Sequence, residues 1–358
     1  MKKIILALIL ALIIITPVSA QTVPILTYDV CVLDDSPKTI KYYGAVGDGI
    51  TDDTMAIQRA IDHTGLVYFP PGEYAISRTL VVSNNGVTFQ GCGTGWVAYM
   101  YGYSGKDVKT SLKWIGEEGG VMLKIGDGTN PNAGCSIRDL LLDGNGLAKN
   151  LLVADATYYL RVDNLMGIGW RDGFGIVVTH SKGVRGSGEK YHTWTHVTLI
   201  NPYENGSGID IAPGWGNINQ ITFESCNIAR SNIDNPEVTS LRLGYADHIS
   251  FFRCTFIPNY PAYLWRSNER FNPYAITVQP VENHRHFPMN ISFFGTSIYG
   301  GINYNGNWLS NGYSSLLFYP FYSADGQKVP PAGYINGKPA TLPIMLIGGF
   351  TDRGIKIR

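Results

Sequence analysis

Asp210 and Arg242 each sit in the middle of a short apolar triplet, Ile209-Asp210-Ile211 and Leu241-Arg242-Leu243. In a strand, successive side chains point to opposite faces. Both polar residues are therefore expected on the side their apolar flanks avoid. A carboxylate beside a guanidinium is an acid or base with a cation that tunes it. It is equally an exposed salt bridge, worth under about 1 kcal/mol. His180, Trp215, Tyr245 and Glu282 follow strands of the same kind and should rim the same face, His180 as a proton carrier or as a plain surface polar residue. Glu189 opens the run Glu189-Lys190-Tyr191-His192 after a flexible glycine-rich stretch, although His192 holds a core-type position. Two long segments add further groups. Residues 258–273 carry Trp265, Arg266, Glu269 and Arg270, which could stack on and clamp a sugar ring or simply pin the loop. Residues 280–288 carry His284, Arg285 and His286. The catalytic candidates are thus Asp210, Arg242, Glu189 and His180. The binding candidates are Trp215, Tyr245, Trp265, Arg266, His284 and His286. No cofactor is implied. Calcium needs six to eight oxygen ligands, whereas Asp127, Asp139, Asp143 and Asp172 are scattered and Asp143-Gly144-Asn145-Gly146 reads as a turn. No CxxC or Cys/His cluster suggests zinc.

What must position these groups is a series of strands. Ile176-Val177-Val178, Ile209-Asp210-Ile211, Leu241-Arg242-Leu243 and Ile276-Thr277-Val278 share one pattern, apolar on the outside of each triplet. Stacked in register, they predict one outward column, Val177–Asp210–Arg242–Thr277. The two long segments fall between late strands, so they are expected as surface loops walling that column.

Between these strands a second motif recurs. It reads Cys135-Ile137-Leu140-Leu142, Leu160-Val162-Leu165, His192-Trp194-Val197-Leu199, Ile221-Phe223-Cys226-Ile228, Ile249-Phe251-Cys254-Phe256 and Ile291-Phe293-Thr296-Ile298, with a weaker copy at Val87-Phe89-Cys92. The starts from Cys135 lie 25, 32, 29, 28 and 42 residues apart. Such a period marks a solenoid whose coils bury their apolar faces by stacking. Leucine-rich repeats share the period but need a helix or an Asn-centred turn in each copy. Here the intervening segments are β-like and glycine-rich. Cys226 and Cys254 take the same place in adjacent coils, either as small interior residues or, about 4.8 Å apart, within disulfide range.

The stretch Lys41 to Ile76 is different in kind. Asp48-Gly49 is a turn dipeptide. Asp52 or Thr51 is expected to N-cap a helix over Asp52 to Asp62 with acids in its first turn. Ile57, Ala60 and Ile61 give that helix one apolar face. Leu66 to Phe69 reads as a short strand, Pro70-Pro71-Gly72 as a turn, and Tyr74-Ala75-Ile76 as a further strand. With Tyr43-Gly44-Ala45, Gly47-Asp48-Gly49, Asp52-Asp53-Thr54 and Phe69-Pro70-Pro71-Gly72-Glu73-Tyr74, this run resembles the start of pectate lyase superfamily proteins, the group with rhamnogalacturonase- and epimerase-like domains and many phage tailspike enzymes. The resemblance implies an all-β chain, a single right-handed parallel β-helix with a short capping helix at its open end. It makes Asp48, Asp52 and Asp53 turn and cap residues rather than catalysts.

Enzymes of that superfamily work on polysaccharides in a groove along the outer strands. Their hydrolases use paired carboxylates. Their lyases abstract a proton beside a uronate carboxylate while a cation neutralises the acid. The coil order also resembles polygalacturonases, but their catalytic set is missing. Where they read Asn-Thr-Asp-Gly-Ile-Asp, this chain has Asn205-Gly206-Ser207-Gly208-Ile209-Asp210. Their Asp-Asp pair falls at Val238-Thr239 and their Gly-His-Gly near Pro273-Tyr274-Ala275. Arg353-Gly354-Ile355-Lys356 only echoes their closing Arg-Ile-Lys.

Bulk properties narrow the class. The chain has 358 residues, 28 basic and 28 acidic, which argues against nucleic acid or an anionic membrane surface as partner. Lys2 and Lys3, an apolar run over Ile4 to Ile15 and Val18-Ser19-Ala20 predict an export signal over residues 1–20, too short for a comfortable membrane span of about 20 apolar residues. The expected order is that signal, a lead-in over 21–40, the β-helix over 41–300 and a C-terminal cap over 301–358. Three functions fit this frame: an exported carbohydrate-active lyase or glycosidase, a surface β-helix that only binds glycans, and a tailspike-like depolymerase that trimerises through its C-terminus.

Overall fold

The computed structural model describes residues 39–95, 109–181, 190–200, 202–203, 205–211, 218–229, 238–244, 246–257, 274–278 and 291–298, together with the strands Gly301–Tyr304, Phe321–Ser323, Lys328–Val329, Tyr334–Ile335, Lys338–Pro339, Ile344–Thr351 and Ile355–Ile357. The strands wind into a parallel β-helix. One coil shows the plan: Ser207–Ile211, then Ile218–Glu224, a sharp corner, Asn227–Ala229, and finally Leu241–Leu243, which pairs with Ser207–Ile211 one level on. Two sheets result. A nine-stranded sheet runs from Leu80–Val82 through Val121–Ile125, Asn150–Asp155, Phe174–Thr179, Ser207–Ile211, Leu241–Leu243, Tyr274–Val278 and Gly301–Tyr304 to Ile355–Ile357. A nineteen-stranded sheet covers the other sides. The coils thus continue past Ile298 through Gly301–Tyr304, Ile344–Thr351 and Ile355–Ile357.

The recurring apolar motif lines the interior. Ile137, Leu140, Leu142, Trp194, Phe223, Cys226, Phe251, Cys254, Phe293 and Ile298 are all buried. In-register stacking brings equivalent rings together: Trp194 on Phe223 at 5.6 Å, Phe223 on Phe251 at 5.0 Å, Phe251 on Phe293 at 4.8 Å. Cys226 and Cys254 are free thiols in this interior column, followed by Thr296. At the midpoint of each motif copy one residue takes a left-handed backbone: Asp139, Asn164, His196, Ser225, Arg253 and Gly295, with φ between 50° and 57°. That single residue turns the strand through the corner; for side-chain-bearing types the conformation is uncommon.

The capping helix spans Thr54–His63, two residues later than expected at its start. Its N-cap position is Asp53, no acid lies in its first turn, and Asp53 makes no cap hydrogen bond. The Asp53 carboxylate instead accepts from the Val46 and Gly47 amides at 2.6 and 3.0 Å, tying the turn to the helix. Asp52 accepts from Thr54 N at 3.0 Å and from Ser77 Oγ at 2.6 Å. The buried face comprises Ala56, Ile57, Ala60 and Ile61.

Candidate functional site

The register of the nine-stranded sheet sets out the outward column. Val177 pairs with Asp210, Asp210 with Arg242, and Arg242 with Thr277. The column extends backward through Val153 to Lys124, and the backbone register continues forward to Asn303 and Lys356. Neighbours lie about 4.8 Å apart, so chemistry on this face is spaced by the coil.

Asp210 departs from the expectation of a solvent-facing carboxylate: it leaves the sheet on the outer side yet is only 2% exposed. Arg242, one coil on, folds across it. Asp210 Oδ1 accepts from Arg242 Nε at 2.9 Å, and Oδ2 accepts from Nη2. The guanidinium carbon sits 4.4 Å from the centre of the Phe174 ring, so Arg242 reaches two coils back to seal the carboxylate. Burial pushes the Asp210 carboxyl above the ordinary carboxylate value, and the opposing pull of Arg242 does not cancel it.

A second carboxylate–cation pair shares the face. Asp155, at the end of Asn150–Asp155, has a side chain 3% exposed. Its Oδ2 lies 3.2 Å from Lys124 Nζ. It also accepts from Ser181 N at 2.8 Å and Ser181 Oγ at 2.6 Å. A Cβ on Gly128, whose φ is +77°, would meet both Asp155 Oδ2 and Lys124 Nζ at 3.0 Å. Only glycine allows that loop to close over the pair. Asp155 pairs with Thr179, two residues beyond Val177, the partner of Asp210. Two coil steps and two residues along the strand put the backbone positions of the two carboxylates about 12 Å apart. That is wider than the carboxyl separations of about 5 to 9.5 Å at which glycosidases work.

His180 follows Phe174–Thr179, beside Ser181, but it is buried rather than a surface polar residue. His192 is also buried, its Nε2 3.0 Å from Thr157 Oγ1 and 2.9 Å from Thr157 O, which makes it a core residue. On the loops entering the same sheet, Arg171 lies 5.4 Å from the ring centre of Tyr203, itself 53% exposed, and bridges Glu118 at 3.1 Å. Glu189, Trp215, Tyr245, Trp265, Arg266, His284 and His286 lie outside the described residues, as do Glu269, Arg270, Glu282 and Arg285. Ser207, at the polygalacturonase-like acid position, is buried; its carbonyl accepts from Trp170 Nε1 at 2.6 Å.

Lys124, Asp155 and Ser181 were not among the sequence candidates. A signal existed: Leu123-Lys124-Ile125 repeats the Leu241-Arg242-Leu243 pattern four coils earlier. Among the described residues, no group of three or more His, Cys, Asp or Glu converges as a metal centre would.

Sequence comparison places short segments beside several known proteins. Mannuronan C5-epimerase AlgE6 of Azotobacter vinelandii is 38% identical over 117 residues, 30% of this chain and 12% of that protein. The pre-neck appendage protein of Bacillus phage B103 is 47% identical over 49 residues, 14% of this chain and 6% of that protein. The chain therefore spans only a small part of these relatives' lengths. Among solved structures, ORF18 of Geobacillus virus E2 superposes with a TM-score of 0.50 at 17% identity, covering 78% of this chain and 55% of that one, a likeness of fold alone. Residues 39–247, more than half of the chain, match the family described as rhamnogalacturonase A/epimerase, pectate lyase-like, and the chain belongs to that family.

Proposed function

We propose that this protein acts on a uronate-containing polysaccharide, bound along the outward column of the nine-stranded sheet, by abstracting a proton beside the uronate carboxylate. The observation that carries the reading is the pairing of each buried carboxylate on this face with its own cation. Hydrolysis by two carboxylates needs them near one bond, and Asp155 and Asp210 are about 12 Å apart. Proton abstraction needs one acid–base group and positive charge for the acid on the sugar. Asp210 carries the proton once the part-exposed Arg242 that covers it turns toward the substrate carboxylate; until then Arg242 holds and tunes it. Lys124, held by Asp155, faces the same groove as a partner for a substrate carboxylate, and Tyr203 on Arg171 offers a ring at its edge. The similarity to a mannuronan C5-epimerase agrees with a uronate substrate.

Export fits this function. The basic start and apolar run of residues 1–20 read as a secretion signal. Cys92 is disulfide-bonded, as suits an oxidising compartment. Among the described residues no helix is long and apolar enough to cross a membrane.

The test is to incubate the protein with alginate, polygalacturonate and neutral polysaccharides, following three signals together. Ultraviolet absorbance of unsaturated ends marks a lyase, and proton exchange at the uronate C5 by NMR marks an epimerase. Either, lost in Asp210→Asn, supports the proposal. Reducing ends alone would show hydrolysis and overturn it; no turnover on any uronate polymer would leave a glycan-binding surface protein as the better account.

A further inference from the structure

Away from the nine-stranded sheet, the left-handed corners form a valley along the coil axis. Its corner residues in successive coils are Asn164, His196, Ser225, Arg253 and Gly295. Two neighbouring cavities lie in it. One of about 260 Å³ is lined by Asn164, Met166, His196 and Ser225 among others. The next, of about 490 Å³, is lined by Thr222, Glu224, Phe252, Arg253, Phe294 and Gly295. Phe252 and Phe294 are half-buried and stacked at 4.7 Å with 6° between their planes. They form an apolar wall, and Thr222 adds a hydroxyl.

The arginine lining the larger cavity already has an acidic partner. Arg253 pairs with Glu224, and His196 Nδ1 lies 3.1 Å from Asp163 Oδ1. The valley therefore has no unpaired arginine among the residues lining its cavities to hold an acidic chain. It offers aromatic surface in two coils and hydroxyl, amide and charged hydrogen-bonding groups in the others, on levels about 4.8 Å apart. That is the recognition chemistry of a chain with apolar ring faces and a rim of hydroxyls.

We propose that this valley is a second glycan-binding groove, holding an extended, uncharged polysaccharide along the coil axis. The ligand class rests on the carbohydrate-active reading above, but no residue is shared with the Asp210 face. A second groove of this kind anchors the protein to a mixed polysaccharide while the first works on its acidic component.

Affinity electrophoresis tests it, run through gels containing galactomannan, xyloglucan, arabinan or polygalacturonate. Asp210→Asn is the background, so that turnover cannot alter the gel. At least one neutral polysaccharide should retard the protein. Phe252→Ser should weaken that retardation about tenfold, the loss of one aromatic contact. Glu224→Gln, a change on a half-exposed side chain, should weaken it as well. Unfolding curves confirm that both variants are folded. Retardation by polygalacturonate alone, no retardation in any gel, or retardation undiminished in both variants overturns the inference. Phe252-dependent retention by a protein without turnover on uronates would uphold this groove while rejecting the proposed reaction.

Discussion

Arg242→Met should be far more damaging than Asp210→Asn, although the two residues form one pair. The Asp210 side chain is 3% exposed and that of Arg242 35%. Methionine keeps much of the aliphatic stem, so the principal loss is the guanidinium, with its place over the Phe174 ring. What remains is a buried carboxylate with its named counter-charge gone. Breaking a buried pair from one side costs about 3–5 kcal/mol. Solvent already reaches Arg242 and screens the pair, so the low end applies, about 3 kcal/mol. Asparagine at 210 keeps the shape and one acceptor for Arg242 Nε. It gives up charge-assisted hydrogen bonding worth about 1.5–3 kcal/mol but also removes a costly buried charge, leaving a net loss below about 1 kcal/mol. The pH dependence sharpens the contrast. Burial already holds the Asp210 carboxyl above its ordinary value. Removing Arg242 removes a downward influence, so the carboxyl rises further. When the folded-state pKa is raised, stability is greatest below the unfolded value and is lost as pH rises through the folded value. The Arg242→Met penalty should therefore shrink on acidification. Urea unfolding of wild type and both variants, at about pH 7 and about pH 4.5, measures this. Equal losses in the two variants, or an Arg242→Met penalty unchanged between the two pH values, would refute the reasoning.

His192 is fully buried and its pKa is depressed from 6.5 to about 4 by that burial. The unfolded chain takes up the proton first, so stability should fall as pH drops from about 6.5 to about 4, by up to about 3 kcal/mol; His192→Gln should flatten that part of the curve. Phe251, stacked between Phe223 and Phe293, should cost about 3–5 kcal/mol on truncation to Ala, and a loss under about 1 kcal/mol would contradict its interior place. Cys135, Cys226 and Cys254 should resist thiol reagents in the native protein and react after unfolding; mass-mapped labelling of native protein would count against the interior column. Secreted material should begin at Gln21, and an intact Met1 by mass spectrometry would reject the export reading.

The inward half of this fold is legible because its constraint is periodic. Phe223, Phe251 and Phe293 meet as in-register neighbours, so a recurring apolar spacing reports the coil directly. The corners are not legible by type. Asp139, Asn164, His196, Ser225, Arg253 and Gly295 share a backbone conformation but no chemistry. The start of the cap helix is not legible for a related reason. Three acids, Asp48, Asp52 and Asp53, precede the first turn, and which one stands at the N-cap position depends on the Val46–Gly47 turn packing back onto Asp53. Alternation correctly sends Asp210 outward, but alternation carries no information on exposure. Burial came from Arg242, a residue of the next coil, reaching to Phe174 in the coil before. The Lys124–Asp155 pair escaped because its carboxylate stands at a strand end, outside the triplet pattern, and meets its lysine only through stacking.

The spacing of these charges bears on the kind of reaction the face can run. An inward residue of a solenoid is held by its whole column, but an outward one is held only by what crosses it. Asp210 is crossed by Arg242 and Asp155 by Ser181 and Lys124. Each carboxylate therefore has a fixed orientation before any ligand arrives, which is what electrostatic stabilisation of a transition state requires. Because each carries its own cation, neither depends on the other for its charge state, and about 12 Å keeps them from sharing a proton or a bond. On the proposed function, a linear acidic chain lying on the column would meet both in turn, one pair at the reacting sugar and the other at a sugar further along. On this geometry, loss of Lys124 should weaken substrate binding more than turnover, and loss of Asp210 should do the reverse.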